Sequence, residues 1–499
     1  MSTDIFTTSC PDMVLLFITI VIVGLAVFSL GLVGLAVIEH NTVVRNGFTA
    51  QLTQIVQSGI DAAAKAIDDP QHPDIFDNPH RFCGIEVAPA RFNPVGFGGG
   101  RFTVFSPRYE QEQVRGVRFG LTRESAKLSL ETILNWEKES PGQGVRALEK
   151  LPGITPVIVD SILDWLDADD TPRPQGAESA YYQGEQKTYR PRNALPIELE
   201  ELLLIRDVER TLIFGEDYQL AFGARQATLR TSPAVLPFGM TDPFSPLPMS
   251  VAEASGQNSG DTSAWQFLLT PYSAEKLVNS QSIARIFLRE SNLEFLESQL
   301  RLHQLDEESV QFIMLWRRVR GNINDPLDLL DAEITVGTET TQSPFSCSNP
   351  VAYERFLRLL DEATTESAVV LRGRINVNEA PRPVLEAVPE LTTELVTTIL
   401  ERRKLRAETP GAEIPGMEIS GAETQRHTIW LLAEGVVDLA TMKTLSRRLT
   451  TGGDVYRIQV AGFFEGKPMF HRAEAVLDAT VKPPRVVFYK DLTPLGFPE

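Results

Sequence analysis

From Leu148 to Pro172 the chain reads LEKLPGITPVIVDSILDWLDADDTP, and the side chains there that could do chemistry are carboxylates. Asp160, Asp164, Asp167, Asp169 and Asp170 all follow one Pro-Gly turn. Asp167, Asp169 and Asp170 fall within one turn of helix, where like charges repel unless a cation compensates them. Glu178 and Glu185 come next, in a stretch able to fold back. Oxygen donors without Cys or His suit a hard cation. Asp167, Asp169, Asp170 and Glu178 are therefore the candidate ligands of a Ca2+ site, although the spacing is not that of an EF-hand. The competing reading is a solvated helix end, the usual fate of an acidic run.

The element that must position these carboxylates is a helix, a tight turn and a second helix. It recurs: LPGITPVIVDSILDW at 151–165 aligns with VPELTTELVTTILER at 388–402, and LLIRDVERTLIFG at 203–215 is a degenerate third copy. A helix-hairpin-helix that grips DNA needs glycines in the turn, so that backbone N–H groups can approach a phosphate. The first turn has Gly153 but Thr155 where a second glycine would help, and the later copy has Glu390 and Thr392. The aspartates add repulsion to any phosphate backbone. The motif reads better as a packing device whose interhelical core is Leu151, Ile154, Val159, Ile162 and Leu163. A membrane-anchored DNA-binding protein built on these hairpins is the alternative reading.

Other chemistries find little support. The chain has 499 residues with 66 Asp and Glu against 47 Lys and Arg, a formal net charge of -19, and such a surface disfavours nucleic acid unless a basic patch is segregated. The three cysteines, Cys10, Cys83 and Cys347, have no metal-binding spacing. Cys83 and Cys347 either pair or stay as thiols. No HExxH or GxSxG occurs, and the run Gly96-Phe97-Gly98-Gly99-Gly100 precedes a strand-like stretch instead of a helix, so it is a poor phosphate loop. The sequence is not that of an enzyme.

Along the chain, an N-terminal leader (1–12) precedes MVLLFITIVIVGLAVFSLGLVGLAVI, an uncharged run at 13–38 long enough to cross a bilayer as one helix. Helical periodicity continues through a stalk at 39–67, stopped by Asp68-Asp69-Pro70. Residues 68–122 form the first part of a small sheet, loop-like from 70 to 100 and then a hairpin made by RFTVFSPRY and VRGVRFGLT. A helical domain with the first hairpin repeat fills 123–215, a Pro, Ser and Gly rich loop or linker 216–263, and a helical region with the second repeat 264–449, interrupted by a loop at 403–423. At 450–499 DVYRIQVAGFFEGKPMFHRAEAVLDA alternates apolar and polar residues about Glu465-Gly466, and RVVFYKDL adds a strand, giving a C-terminal sheet.

At LDWLDADDTPRPQGAESAYY the chain resembles the helical domain of K-type minor pseudopilins of the type II secretion system. IELEELLLIRDV, LLTPYSAEKLVN, GRINVNEAPRPVLEAVPEL and RLTTGGDVYRIQVAGFFEG are similar to further segments of that family, LLTPYSAEKLVN to the strand that re-enters its sheet. The resemblance implies an α+β fold: an N-terminal transmembrane helix continuing into a stalk, a small antiparallel pseudopilin-like sheet, and a large inserted helical domain with helix-hairpin-helix-like repeats. It also implies a non-enzymatic subunit, single-pass in the inner membrane with its bulk in the periplasm. Such a subunit caps or initiates the pseudopilus with other minor pseudopilins and the major pseudopilin, on the inner-membrane assembly platform, and carries Ca2+ in its helical domain. Three features depart from the family. MSTDIFTTSCPD has neither the basic residues nor the Gly of its leader, and Arg45, the one basic residue in the first turns after the span, would on the positive-inside rule put the C-terminal side in the cytoplasm. Residues 216–263 lack the acidic spacing of a second Ca2+ loop.

Overall fold

The computed structural model describes residues 11–69, 74–87, 99–110, 113–184, 187, 189–215, 264–408, 426–464 and 469–495. The expected linker at 216–263, most of the leader, Glu185 and the hairpin tip at Glu465-Gly466 lie outside them.

One helix, α1 (Pro11–Ile67), carries both the apolar run and the stalk without a break. From Leu15 to Ile38 it is long and apolar enough to cross a membrane, and none of that stretch is buried. Lower down, the helix acquires a face: Leu52, Ile55, Val56, Ile60 and Ala63 are buried at spacings of three and four residues, which places them on one side. Burial contributes about 1.5–3 kcal/mol for each of the larger side chains among them. Phe48 begins the contact, meeting Phe464 edge-on with ring centroids 5.8 Å apart.

The partner of that face is a seven-stranded antiparallel sheet. Its first strands are β1 (Ile85–Glu86), β2 (Gly100–Glu110), β3 (Gln113–Arg118) and β4 (Thr122–Arg123), and its last are β5 (Val455–Phe464), β6 (Phe470–Asp478) and β7 (Arg485–Asp491). The order is β1-β2-β5-β6-β7, with β3 on β2 and β4 on β5. Residues more than 300 apart in sequence thus become neighbours: Val460 pairs with Val104 and Tyr456 with Arg123. Everything from Glu124 to Asp454 is an insertion between adjacent strands.

The insertion has its own core, built on Trp165, Trp265, Trp430, Tyr353 and Phe356, all fully buried. Its principal helices are α2 (Leu130–Glu139), α3 (Gln143–Leu148), α4 (Pro156–Leu166), α5 (Leu293–Leu302), α6 (Glu307–Val319), α7 (Pro350–Glu362), α8 (Arg382–Glu386), α9 (Thr393–Glu408) and α10 (Leu439–Leu445). Three expectations are corrected here. The insertion is less helical than its apolar periodicity suggests. Residues 167–178 are irregular, and 264–449 contains short two-stranded pairings such as Glu333–Val336 with Glu339–Gln342 and Ile375–Asn376 with Leu449–Thr450. LLTPYSAEKLVN does not re-enter the large sheet. Leu269–Thr270 pairs with Leu128–Ser129, and Ala274–Lys276 with Val370–Arg372, so this segment braces the insertion internally. Helix α9 continues to Glu408, five residues past the expected start of the loop at 403, because Arg403 is held on it by donating to the carbonyls of Val377 and Ala380.

No disulfide joins Cys83 and Cys347. Cys83 follows the single turn Pro79–Phe82 beside the sheet, whereas Cys347 packs on the core of the insertion.

Candidate metal centre

Helix α4 starts at a cap and ends at a carboxylate. Thr155 accepts from the N–H of Ile158 and Pro156 occupies the first helical position, where its missing donor is not needed. Ile158, Val159, Ile162, Leu163 and Leu166 bury one side of the helix in the core, so it cannot rotate to present its acidic side elsewhere. Of the residues expected to form the interhelical core, Leu151, Val159, Ile162 and Leu163 are buried and Ile154 packs partly against them. The chain leaves the helix at Asp167 with extended backbone.

The five aspartates divide their work. Asp160 accepts from the N–H of Gln175 at 3.0 Å, and both oxygens of Asp164 accept from the N–H of Arg173 at 3.2 Å, so two rungs of α4 hold the returning loop. Asp164 is fully buried, and that burial pushes its carboxyl up to about 6. Gly176 lies directly over it: a Cβ there would stand 1.9 Å from Asp164 Oδ2. Asp170, beside Glu178, accepts from the N–H of Ser179 at 3.1 Å, an interaction that holds its carboxyl below the usual range.

What remains is Asp167, Asp169 and Glu178, each able to offer an oxygen such that all three atoms lie within 4.8 Å of one another. The structure thus brings together three of the four expected ligands and gives Asp170 a structural task. Glu178 is 2 % exposed, and neither of its carboxylate oxygens has a hydrogen-bond donor; Asp167 Oδ1 is likewise buried without one. A buried carboxylate with no donor and three acidic neighbours is costly in its charged form. Burial first, and then Asp164, Asp167 and Asp170, push Glu178 up to about 8, while burial and Asp169 push Asp167 upward. A divalent cation would remove both costs. The all-oxygen donor set fits Ca2+, which takes six to eight oxygens at roughly 2.3–2.6 Å, better than metals that prefer nitrogen or sulfur.

Tyrosines stiffen the far side. Glu178 opens the short helix Ser179–Gly184, whose Tyr182 is fully buried and meets Trp165 of α4 edge-on at 5.7 Å. Trp165 also donates to Glu201 at 3.2 Å. The roles of Asp160, Asp164 and Gly176 escape a reading of the sequence, which sees only an acidic run; the spacing of Asp160 and Asp164, one helical turn apart, was the available signal.

The hairpin turns share one geometry. Gly153 and the aligned Glu390 both have positive φ, 70° and 71°. In both turns a threonine two residues later, Thr155 or Thr392, accepts from a backbone N–H in the first turn of the next helix. Asp207 (φ 60°) precedes the helix Arg210–Phe214 in the same way, and Gln304 (φ 57°), followed by the cap Asp306, joins α5 to α6.

Residues 130–213, from α2 to the helix Arg210–Phe214, match the family described as type II secretion system (T2SS), protein K. Among solved structures the chain is similar to one from the complex of GspK, GspI and GspJ of the enterotoxigenic Escherichia coli type 2 secretion system. That likeness has 10% identity and a TM-score of 0.37, covering 90% of this chain and 98% of that one. No curated protein sequence matches the chain.

Proposed function

Taking residues 130–213 as the protein K domain of a type II secretion system, we propose that the chain is a non-enzymatic minor pseudopilin, anchored in the inner membrane by α1 with its bulk in the periplasm, at the tip of the pseudopilus. The observation that carries this reading is the protein K match, which falls on the inserted domain and spans the acidic loop. The long exposed apolar helix supports it, since such a surface is stable in lipid or against like helices of other subunits. So does the insertion, which widens the molecule beyond its stalk and sheet and would obstruct a subunit added above it. The partners are other minor pseudopilins, the major pseudopilin and the assembly platform. A reporter active only outside the cytoplasm, fused after Glu499, is expected to be active. Purification of the full chain from detergent-solubilised membranes of a secreting host is expected to bring down other minor pseudopilins. An inactive reporter on a well-expressed fusion, or a chain that purifies alone, would count against the reading.

We also infer that Asp167, Asp169 and Glu178 hold Ca2+, which ties the loop 167–178 to α4. The ion's part is structural: it would let the three carboxylates stay ionised together and fix the loop. Calorimetric titration of the full chain in detergent should show Ca2+ binding. The double variant D167N/D169N should weaken it at least about tenfold, since each removed carboxylate takes a charged ligand from the ion.

A further inference from the structure

Behind the acidic loop, one lysine is seated among aromatic rings. Lys187 Nζ stands over the faces of three tyrosines, 5.7 Å from the ring centroid of Tyr181, 5.3 Å from that of Tyr182 and 5.8 Å from that of Tyr189. Its backbone N–H donates to the carbonyl of Tyr182 at 3.1 Å. The face of an aromatic ring attracts a cation within about 6 Å, so each of the three contacts favours this seat. The rings are joined to one another. Tyr182 meets Tyr181 edge-on at 5.2 Å and lies 5.5 Å from Tyr189, while Trp165 of α4 meets Tyr182 and Tyr189 edge-on at 5.7 and 6.3 Å. On the other side the Arg206 guanidinium covers Tyr181 at 4.8 Å, and the Arg206 N–H donates to the hydroxyl of Tyr182.

These rings reach both halves of the acidic cluster. Trp165 lies two residues before Asp167, and the backbone N–H groups of Tyr181 and Tyr182 both donate to the carbonyl of Glu178. Asp167 and Glu178 thus stand at the two ends of one aromatic joint, and whatever fixes the rings fixes the spacing of the two carboxylates. We propose that Lys187 is a positioning residue for the cation site of Asp167, Asp169 and Glu178: seated among Tyr181, Tyr182 and Tyr189, it holds Glu178 in place and so raises the affinity for Ca2+. This rests on the Ca2+ reading of those three carboxylates. Groups behind the ligands of a metal set its affinity by orienting them. The sign of the effect separates positioning from charge. A lysine is a positive charge that repels a divalent cation, so its removal would on charge alone tighten binding. Loss of a positioning contact weakens it.

The test is calorimetric titration of the full chain in detergent with Ca2+. Lys187 is half-buried, and methionine keeps the length of its stem, so K187M leaves the core of the insertion untouched. It should weaken Ca2+ binding about three- to tenfold, the loss of two or three ring contacts. K187R restores a cation that stacks on aromatic faces and should recover most of the affinity. In a Y181L/Y189L background, which lacks two of the three rings, K187M should no longer weaken binding, because the two changes act on one contact. K404M, which removes an exposed charge from α9, should bind like the unsubstituted chain. The proposal is overturned if K187M binds Ca2+ as tightly as the unsubstituted chain or more tightly, if K187R is as weak as K187M, or if K187M weakens binding equally with and without the rings. Each of these outcomes leaves the Ca2+ site standing. An unsubstituted chain that binds no Ca2+ removes the site and this role together.

Discussion

Glu178 is acidic by type and close to neutral by environment, and that difference sets what the loop does with pH. Its folded pKa of about 8 lies above the ordinary carboxylate value, so without a cation its stabilising contribution is complete below about pH 4.5 and is lost as pH rises towards 8. Thermal unfolding of calcium-free protein should therefore show a midpoint that falls between pH 5 and 8. Saturating Ca2+ should flatten the decline, and its addition at pH 7 should release protons into a weakly buffered solution. Gly176→Ala is expected to lower Ca2+ affinity several-fold without touching a ligand, because its methyl group must displace Asp164 and with it the hold on Arg173. Calorimetry on that variant checks this.

At the scale of elements, the hairpin turns explain why a DNA-like motif occurs in an acidic protein. The left-handed residue lets the chain reverse and the capping threonine starts the next helix; neither step involves a phosphate. Gly153 meets the conformational demand without cost, and Gly153→Ala should lose about 1–2 kcal/mol, since φ is 70° and the new Cβ would stand 2.6 Å from Leu212. Glu390 bears the same conformation with a side chain, partly offset by its 3.6 Å contact with Arg448. Glu390→Gly should thus be neutral or gain up to about 1 kcal/mol in chemical denaturation. This level is where the sequence was most and least legible. The α1 helix, the β2–β3 hairpin and β5, β6 and β7 follow from periodicities that no neighbour overrides. The short pairings of Leu269–Thr270 and Ala274–Lys276 do not, because two or three residues carry no period and their partners lie about 100 or more residues away. Asp167, Asp169 and Glu178 were legible as candidate donors from their type and crowding. Asp170's diversion to Ser179 was not, since it depends on where the loop returns.

For the whole molecule, the insertion is fastened to the sheet by a buried charge cluster. Glu124 is fully buried where the sheet gives way to the insertion. It accepts from Lys127 at 2.9 Å, from Arg457 of β5 at 2.9 Å and from the hydroxyl of Thr270, and Arg457 pairs onward with Glu474 of β6. Burial opposes its charge, but Arg457 and Lys127 win and hold it down at about 2. A depressed carboxylate stabilises the fold fully above its ordinary value and loses that contribution as pH falls towards 2. Denaturation of the wild type should weaken between pH 5 and 2.5, and Glu124→Gln should show a smaller slope there. Glu124→Ala should cost about 3–5 kcal/mol, because it leaves two cations buried with one carboxylate between them.

The bare middle of α1 has a geometric result. Between Ile38, where the apolar run ends, and Phe48, the first side chain against the sheet, nine residues stand exposed on an unbroken helix. At about 1.5 Å per residue they lift the folded body some 14 Å above the hydrocarbon core if the helix stands upright. The headgroup layer fills roughly 5–7 Å of that rise, so the body stands close over the bilayer surface. With no hinge in α1, lifting the body by any distance withdraws the membrane segment by the same distance, and the depth of Leu15 in the lipid becomes a ruler for how far the subunit has been raised.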